Sequence, residues 1–141
     1  MLIESRPATD PEVGALVAAR QRELGEAGGP WYDARYLAAV VGGRAVACGG
    51  LRELADGVGE LSGVYVRPAY RGRGIGQQLL AALEELAFRQ GHSVLCLETG
   101  AYLPAAISLY RSGGYEPVPA YRKHTGGPNR VCLAKRLPVA A

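Results

Sequence analysis

A chain of 141 residues, 48% hydrophobic and 21% charged, is the size and composition of one globular domain with its own core, so residues 1–141 read as a single domain. Its formal net charge of +3 is too small to point to nucleic acid, and no apolar run approaches the roughly 20 residues of a membrane helix. Cys48, Cys96 and Cys132 sit in apolar runs without C-x-x-C spacing, which argues against a disulfide framework or a zinc site. Reduced thiols, no metal and a cytoplasmic location are expected. The opening Met1 to Arg6 has no basic start followed by a long apolar region, so no signal peptide is expected either.

Leu2 to Ser5 reads as a first strand. Thr9 or Asp10 before Pro11 starts a helix whose stripe of Val13, Leu16, Val17 and Leu24 ends before Gly28-Gly29-Pro30. Trp31 to Ala39 reads as a second short helix or an irregular stretch. Leu37 to Val41 and Arg44 to Leu51 flank the hairpin signal Gly42-Gly43, and Asp56-Gly57 turns into a return strand from Val58 to Val66. A helix over Gln77 to Arg89 buries Ile75, Leu79, Leu80, Leu83, Leu86 and Ala87, and Gly91 caps it. Ser93 to Glu98 is a strand, a helix starts near Pro104 and runs to Gly113-Gly114, and strands follow at Tyr115 to Tyr121 and Arg130 to Leu137. The order β-α-α-β-β-β-α-β-α-β-β is a mixed α/β domain.

The most informative segment is Arg71-Gly72-Arg73-Gly74-Ile75-Gly76, between the strand ending at Val66 and the helix from Gln77. A glycine-rich turn opening onto a helix N-terminus aims unpaired N–H groups and the positive end of the helix dipole at an anion. A dinucleotide fingerprint needs G-x-G-x-x-G after a first parallel strand, whereas these glycines are spaced by two and follow antiparallel hairpins. A P-loop needs Gly-Lys-Ser or Gly-Lys-Thr, which occurs nowhere in the sequence.

The pattern that fits is [Q/R]-x-x-G-x-[G/A], carried by Arg71, Gly74 and Gly76. It resembles the pyrophosphate-binding motif of the GCN5-related N-acetyltransferase (GNAT) superfamily. Ala106 to Tyr115 resembles that superfamily's A-x-x-L-Y-x-x-x-G-[FY] segment, about 30 residues further on. The resemblance covers about Leu2 to Leu137. It implies an α+β fold with a central, mostly antiparallel sheet of 6–7 strands, splayed between strands 4 and 5 and flanked by about four helices.

It also implies a site. Acetyl-CoA would lie in the splay, with its pantetheine along Val64, Tyr65 and Val66 and its pyrophosphate on the amides from Arg71 through Gly72, Arg73, Gly74 and Ile75 to Gly76. Arg67, Arg71 and Arg73 would add charge, and Gln77 would cap or touch phosphate. The Val64 amide would polarise the carbonyl. Tyr110 matches the tyrosine that many members hold beside the CoA sulfur, where a phenol can protonate the departing thiolate. Glu60 is the candidate base, with Glu98 the alternative. Leu103 stands where many members have an asparagine that contacts the cofactor, so that contact is lost or replaced. His92 is expected at the surface.

An acceptor pocket built from the first helix, the following loop and the last hairpin offers Arg20, Arg22, Glu26, Trp31, Tyr32, Arg35, Tyr36, Tyr121, Arg122 and His124. This lining suits a primary amine on a small molecule, one bearing a carboxylate included. The alternatives are acetylation of a protein lysine or N-terminus, and a non-catalytic acyl-CoA-binding module. No nucleic acid or membrane partner is expected. Many members pair through their C-terminal strands, so a homodimer is among the expectations the resemblance raises.

Overall fold

In the computed structural model, residues 1–101, 103–121 and 129–138 are described. The elements in chain order are β1 (Leu2–Pro7), α1 (Pro11–Leu24), β2 (Arg35–Val41), β3 (Arg44–Ala55), β4 (Val58–Leu61), β5 (Tyr65–Val66), α2 (Ile75–Arg89), β6 (Val94–Gly100), α3 (Pro104–Ser112), β7 (Glu116–Val118) and β8 (Arg130–Arg136), with one 3₁₀ turn at Pro68–Tyr70. The main sheet runs β1-β2-β3-β4-β6-β8-β7, and β5 pairs with β3 off this path. Every pairing is antiparallel except β4 with β6.

Both faces of the sheet centre are covered. Strand alternation sends Leu37 and Ala39 of β2 to the face under α2 and α3, where Leu79, Leu83 and Tyr110 pack. Tyr36 and Ala38 turn to the face under α1, against Val13, Leu16 and Cys48. This double burial explains why Trp31 to Ala39 holds no helix: its apolar run is the first half of a strand that begins at Arg35. Three α-helices are therefore described where about four were expected.

Helix α1 starts where the sequence indicates. The Asp10 carboxylate accepts the N–H groups of Glu12 and Val13, both at 3.1 Å, and Gly25 ends the helix at φ 67°.

The sheet has eight described strands rather than 6–7 because the expected strand from Val58 to Val66 breaks in two. At the break, Ser62 uses both its backbone and its side chain on Gly50. Its N–H donates to the Gly50 carbonyl at 2.9 Å, and its hydroxyl oxygen accepts the Gly50 N–H at 2.7 Å. That exchange ends the regular ladder and lets the chain diverge before it rejoins β3 at Tyr65.

His92 is buried (7% exposed) rather than at the surface. It packs beside Gly59, where a Cβ would stand 2.8 Å from Leu95, 2.9 Å from Leu51 and 3.2 Å from the His92 ring. Gly59→Ala is thus expected to overpack the core and lower unfolding free energy by about 1–3 kcal/mol, read as a lower urea midpoint. An unchanged midpoint would show that these neighbours yield freely.

Candidate active site

Strand β4 runs parallel to β6 only as far as Leu61↔Leu97. Beyond that point β5 stays with β3, through Ala47↔Val66 and Cys48↔Tyr65, while β6 continues to Gly100 alongside β8. The wedge between them is the splay that the family resemblance implied. It opens into a cavity of about 330 Å³ lined by Val64, Tyr65, Val66, Arg71, Thr99, Leu103, Leu109 and Tyr110 among others.

The Arg67 N–H bonds the Val46 carbonyl of β3 at 2.9 Å, which fixes the alternation and turns the polar groups of Val64 and Val66 toward the wedge. Both are met there by side chains. The Val64 N–H donates to the Tyr110 hydroxyl at 2.9 Å, and Arg71 Nε donates to the Val66 carbonyl at 2.9 Å. The Arg71 guanidinium also bonds both carboxylate oxygens of Glu23, at 2.8 and 2.9 Å, across the mouth of the same cavity.

The glycine loop follows the 3₁₀ turn. Gly72 and Gly74 have φ of 78° and 77°, which side-chain-bearing residues rarely adopt. Gly74 caps α2 without a side chain, and the first helical hydrogen bond is Gln78 N–H to the Gly74 carbonyl. The N–H groups from Gly72 to Gln77 consequently find no acceptor among the described residues. Buried Ile75 pins the loop to the core, Gly76 lies against Leu109 and Val66, and Arg73 sits over the Tyr70 ring at 5.1 Å. These free amides and the open strand edge fit a pyrophosphate joined to a pantetheine arm. At the asparagine position, Leu103 caps α3 without a side-chain bond and supplies apolar wall instead.

Tyr110 is fully buried against Tyr115, edge to face at 5.8 Å. Burial pushes its phenol above the ordinary value, while the Val64 N–H and the Arg20 charge pull it back. Tyr36, Tyr115 and Tyr121 are likewise pushed up by burial, and the Cys48 thiol rises from 9.0 to about 12. In each case the unfolded chain releases its proton first. The stability these groups contribute is therefore complete below pH 9 and is lost from there upward, first through Cys48 and then through the phenols above about 10. Urea midpoints are expected to hold to about pH 9 and fall beyond it. A flat profile to pH 11 would contradict the burial of these groups.

A second cavity, of about 440 Å³, lies on the other side of Gly63 and shares Arg20, Gly63 and Tyr65 with the first. Glu60 lines it but is 4% exposed. Arg52 Nε and Nη2 both bond its Oε1 at 2.9 Å, and the Tyr121 hydroxyl donates to its Oε2 at 2.8 Å. Arg52 stacks on the Trp31 ring at 3.6 Å and reaches Asp33 at 3.5 Å. Glu98 accepts from Arg130 Nε at 2.6 Å, Arg130 Nη1 bonds Glu26 at 3.0 Å, and Arg20 Nη1 bonds the other Glu26 oxygen at 3.1 Å. Arg52, Arg130 and Thr99 were not anticipated as site residues. Arg20, Glu26, Trp31, Tyr36 and Tyr121 were, and they converge here; Arg122 and His124 lie outside the described residues.

The family model described as the acetyltransferase (GNAT) family matches residues 7–115. The chain belongs to the GNAT family. It is 40% identical over 84 residues to an IAA acetyltransferase of Azospirillum brasilense, covering 59% of this chain and 55% of that protein. It is 43% identical over 65 residues to the N-alpha-acetyltransferase RimI of Mycobacterium tuberculosis, covering 46% and 39%. The chain thus spans about half the length, or less, of these curated relatives. A solved Klebsiella pneumoniae protein, provisionally described as an acyl-CoA N-acyltransferase, superposes with a TM-score of 0.85 at 36% identity, covering 96% of this chain and 97% of that one. Other proteins of this fold have been solved with acetyl-CoA bound. Among the described residues of this GNAT chain, no helix is long and apolar enough to cross a membrane.

Proposed function

We propose that this GNAT protein transfers the acetyl group of acetyl-CoA to a primary amine on a small molecule. The observation that carries the reading is the meeting of two cavities at Gly63. One has a strand edge and free loop amides, and the other is a polar pocket of about 440 Å³, a volume suited to a small molecule. The two curated relatives are named for different acceptors, so the acceptor is argued from the pocket alone. Three buried free thiols support a cytoplasmic setting.

In this reading Arg71 and the amides from Gly72 to Gln77 hold the pyrophosphate, and the Val64 to Val66 edge aligns the pantetheine. The amine nitrogen forms its bond to the acetyl carbon as the carbon–sulfur bond breaks. The Val64 N–H meets the charge developing on the carbonyl oxygen. The Tyr110 hydroxyl gives its proton to the departing sulfur. Glu60, held by Arg52 and Tyr121, takes the amine's proton through water.

The test is free-thiol release from acetyl-CoA across a panel of amines, amino acids and peptides. Turnover of small amines supports the reading. Turnover confined to peptide N-termini or lysines would replace it with a protein acetyltransferase. Tight CoA binding without any turnover would replace it with an acyl-CoA-binding module.

A further inference from the structure

We propose that Arg20 receives a carboxylate carried by the acceptor next to its reacting amine, so that the acceptors are α- or β-amino carboxylates. This rests on the small-molecule reading above and narrows it.

Arg20 stands at the partition between the two cavities and lines both. Its guanidinium packs against Gly63 through its Nε–Nη2 side: Nε and Cζ are each 2.8 Å from where a Cβ would sit, with Nη2 nearest of the three. Only a glycine admits the cation there. The three described arginines of the acceptor cavity differ in what they have left to give. Arg52 spends Nε and Nη2 on Glu60, Nη1 on Asp33 and its face on Trp31. Arg130 spends Nε on Glu98 and Nη1 on Glu26. Arg20 spends Nη1 alone, on Glu26, and its Nε–Nη2 edge has no partner among the described residues. That edge is a planar two-donor fork, matched to a carboxylate.

Its position fixes where the amine must be. Gly63 precedes Val64, whose N–H is proposed to polarise the acetyl carbonyl, and neighbouring Cα atoms are about 3.8 Å apart. A carboxylate on the Arg20 fork and an amine at that carbonyl are therefore neighbours, which suits a short spacer of one or two carbons. The same cation repels an acceptor ammonium that brings no counter-charge, which disfavours simple amines. Glu26 positions the fork, and Arg130 holds Glu26 from its other oxygen. Removing Arg20 consequently leaves no carboxylate orphaned.

The experiment compares kcat/KM for α- and β-amino acids with that for the amines lacking the carboxylate, the carboxamides, and amino acids whose carboxylate is five or more carbons away. Wild-type protein is expected to favour the short amino acids by roughly 30-fold or more. Arg20→Gln is expected to bring the ratio of acid to carboxamide close to one, and Arg20→Lys, which keeps the charge without the fork, to give an intermediate ratio. Circular dichroism monitors folding, and the wild-type ratio decides the matter if the variants do not fold. Equal wild-type rates for acids and simple amines would overturn this inference and leave the small-molecule reading standing. An unchanged ratio in folded Arg20→Gln would do the same. Turnover of peptide N-termini alone would overturn both.

Discussion

Tyr110→Phe is expected to lower kcat about 100-fold with little change in the KM for acetyl-CoA. The phenol is the one proton donor proposed for the departing sulfur, and loss of a positioned acid costs about 10²–10⁴ in rate. Burial keeps that proton on the oxygen at pH values where an exposed phenol begins to ionise, so the wild-type rate should not fall near pH 10 on account of this group. The variant also has a structural signature. Without the hydroxyl, the half-buried Val64 N–H loses its acceptor on the open strand edge, a cost of about 0.5–1.5 kcal/mol. An acetyl carbonyl can replace that acceptor, so saturating acetyl-CoA should raise the Tm of Tyr110→Phe more than that of the wild type. A kcat within about threefold of wild type would remove Tyr110 from the acid role. A Tm gain no larger than in the wild type would instead separate Val64 from the carbonyl.

What the sequence made legible was the placement of the residues proposed for the donor side, because their pattern is local. Gly72, Gly74 and Gly76 stand at one strand-to-helix junction, and Leu109-Tyr110 lie on one short helix. The acceptor side was less legible because it depends on register and on distant chain segments. An unbulged hairpin at Asp56-Gly57 would pair Glu53 with Glu60. A shift between Glu53 and Ala55 brings Arg52 opposite Glu60 instead, and with it the stacking on Trp31. The chain of ion pairs from Arg20 through Glu26 and Arg130 to Glu98 joins residues up to 104 apart in sequence, which no local pattern announces. The break at Ser62 was missed for a related reason. Serine in a strand reads as an ordinary polar position until its hydroxyl is seen to accept from Gly50.

Arg71→Ala is expected to weaken acetyl-CoA binding by about 10- to 100-fold while leaving acetyl-pantetheine, which lacks the phosphates, bound as well as before or better. The two ligands separate because Arg71 does opposite things to them. Toward the pyrophosphate its proposed role is a charge-assisted, two-donor contact, about 1.5–3 kcal/mol for each such hydrogen bond. Toward the pantetheine it is a competitor, since its Nε already occupies the Val66 carbonyl on the open strand edge. Glu23 holds it in that posture from α1. That pair is 46% and 38% exposed, so releasing it costs no more than about 1 kcal/mol, and phosphate wins the guanidinium. It follows that Glu23→Gln, which removes the rival anion, tightens acetyl-CoA up to about fivefold and has its largest effect at low salt. Calorimetric titration of both ligands into the wild type and both variants gives the six numbers needed. Equal losses for acetyl-CoA and acetyl-pantetheine in Arg71→Ala would mean that Arg71 shapes the cleft rather than binding phosphate, and weaker acetyl-CoA binding in Glu23→Gln would mean that Glu23 supports the bound state. Opposite signs in the two variants are what a guanidinium held in waiting by one carboxylate, and claimed by the incoming phosphates, must produce.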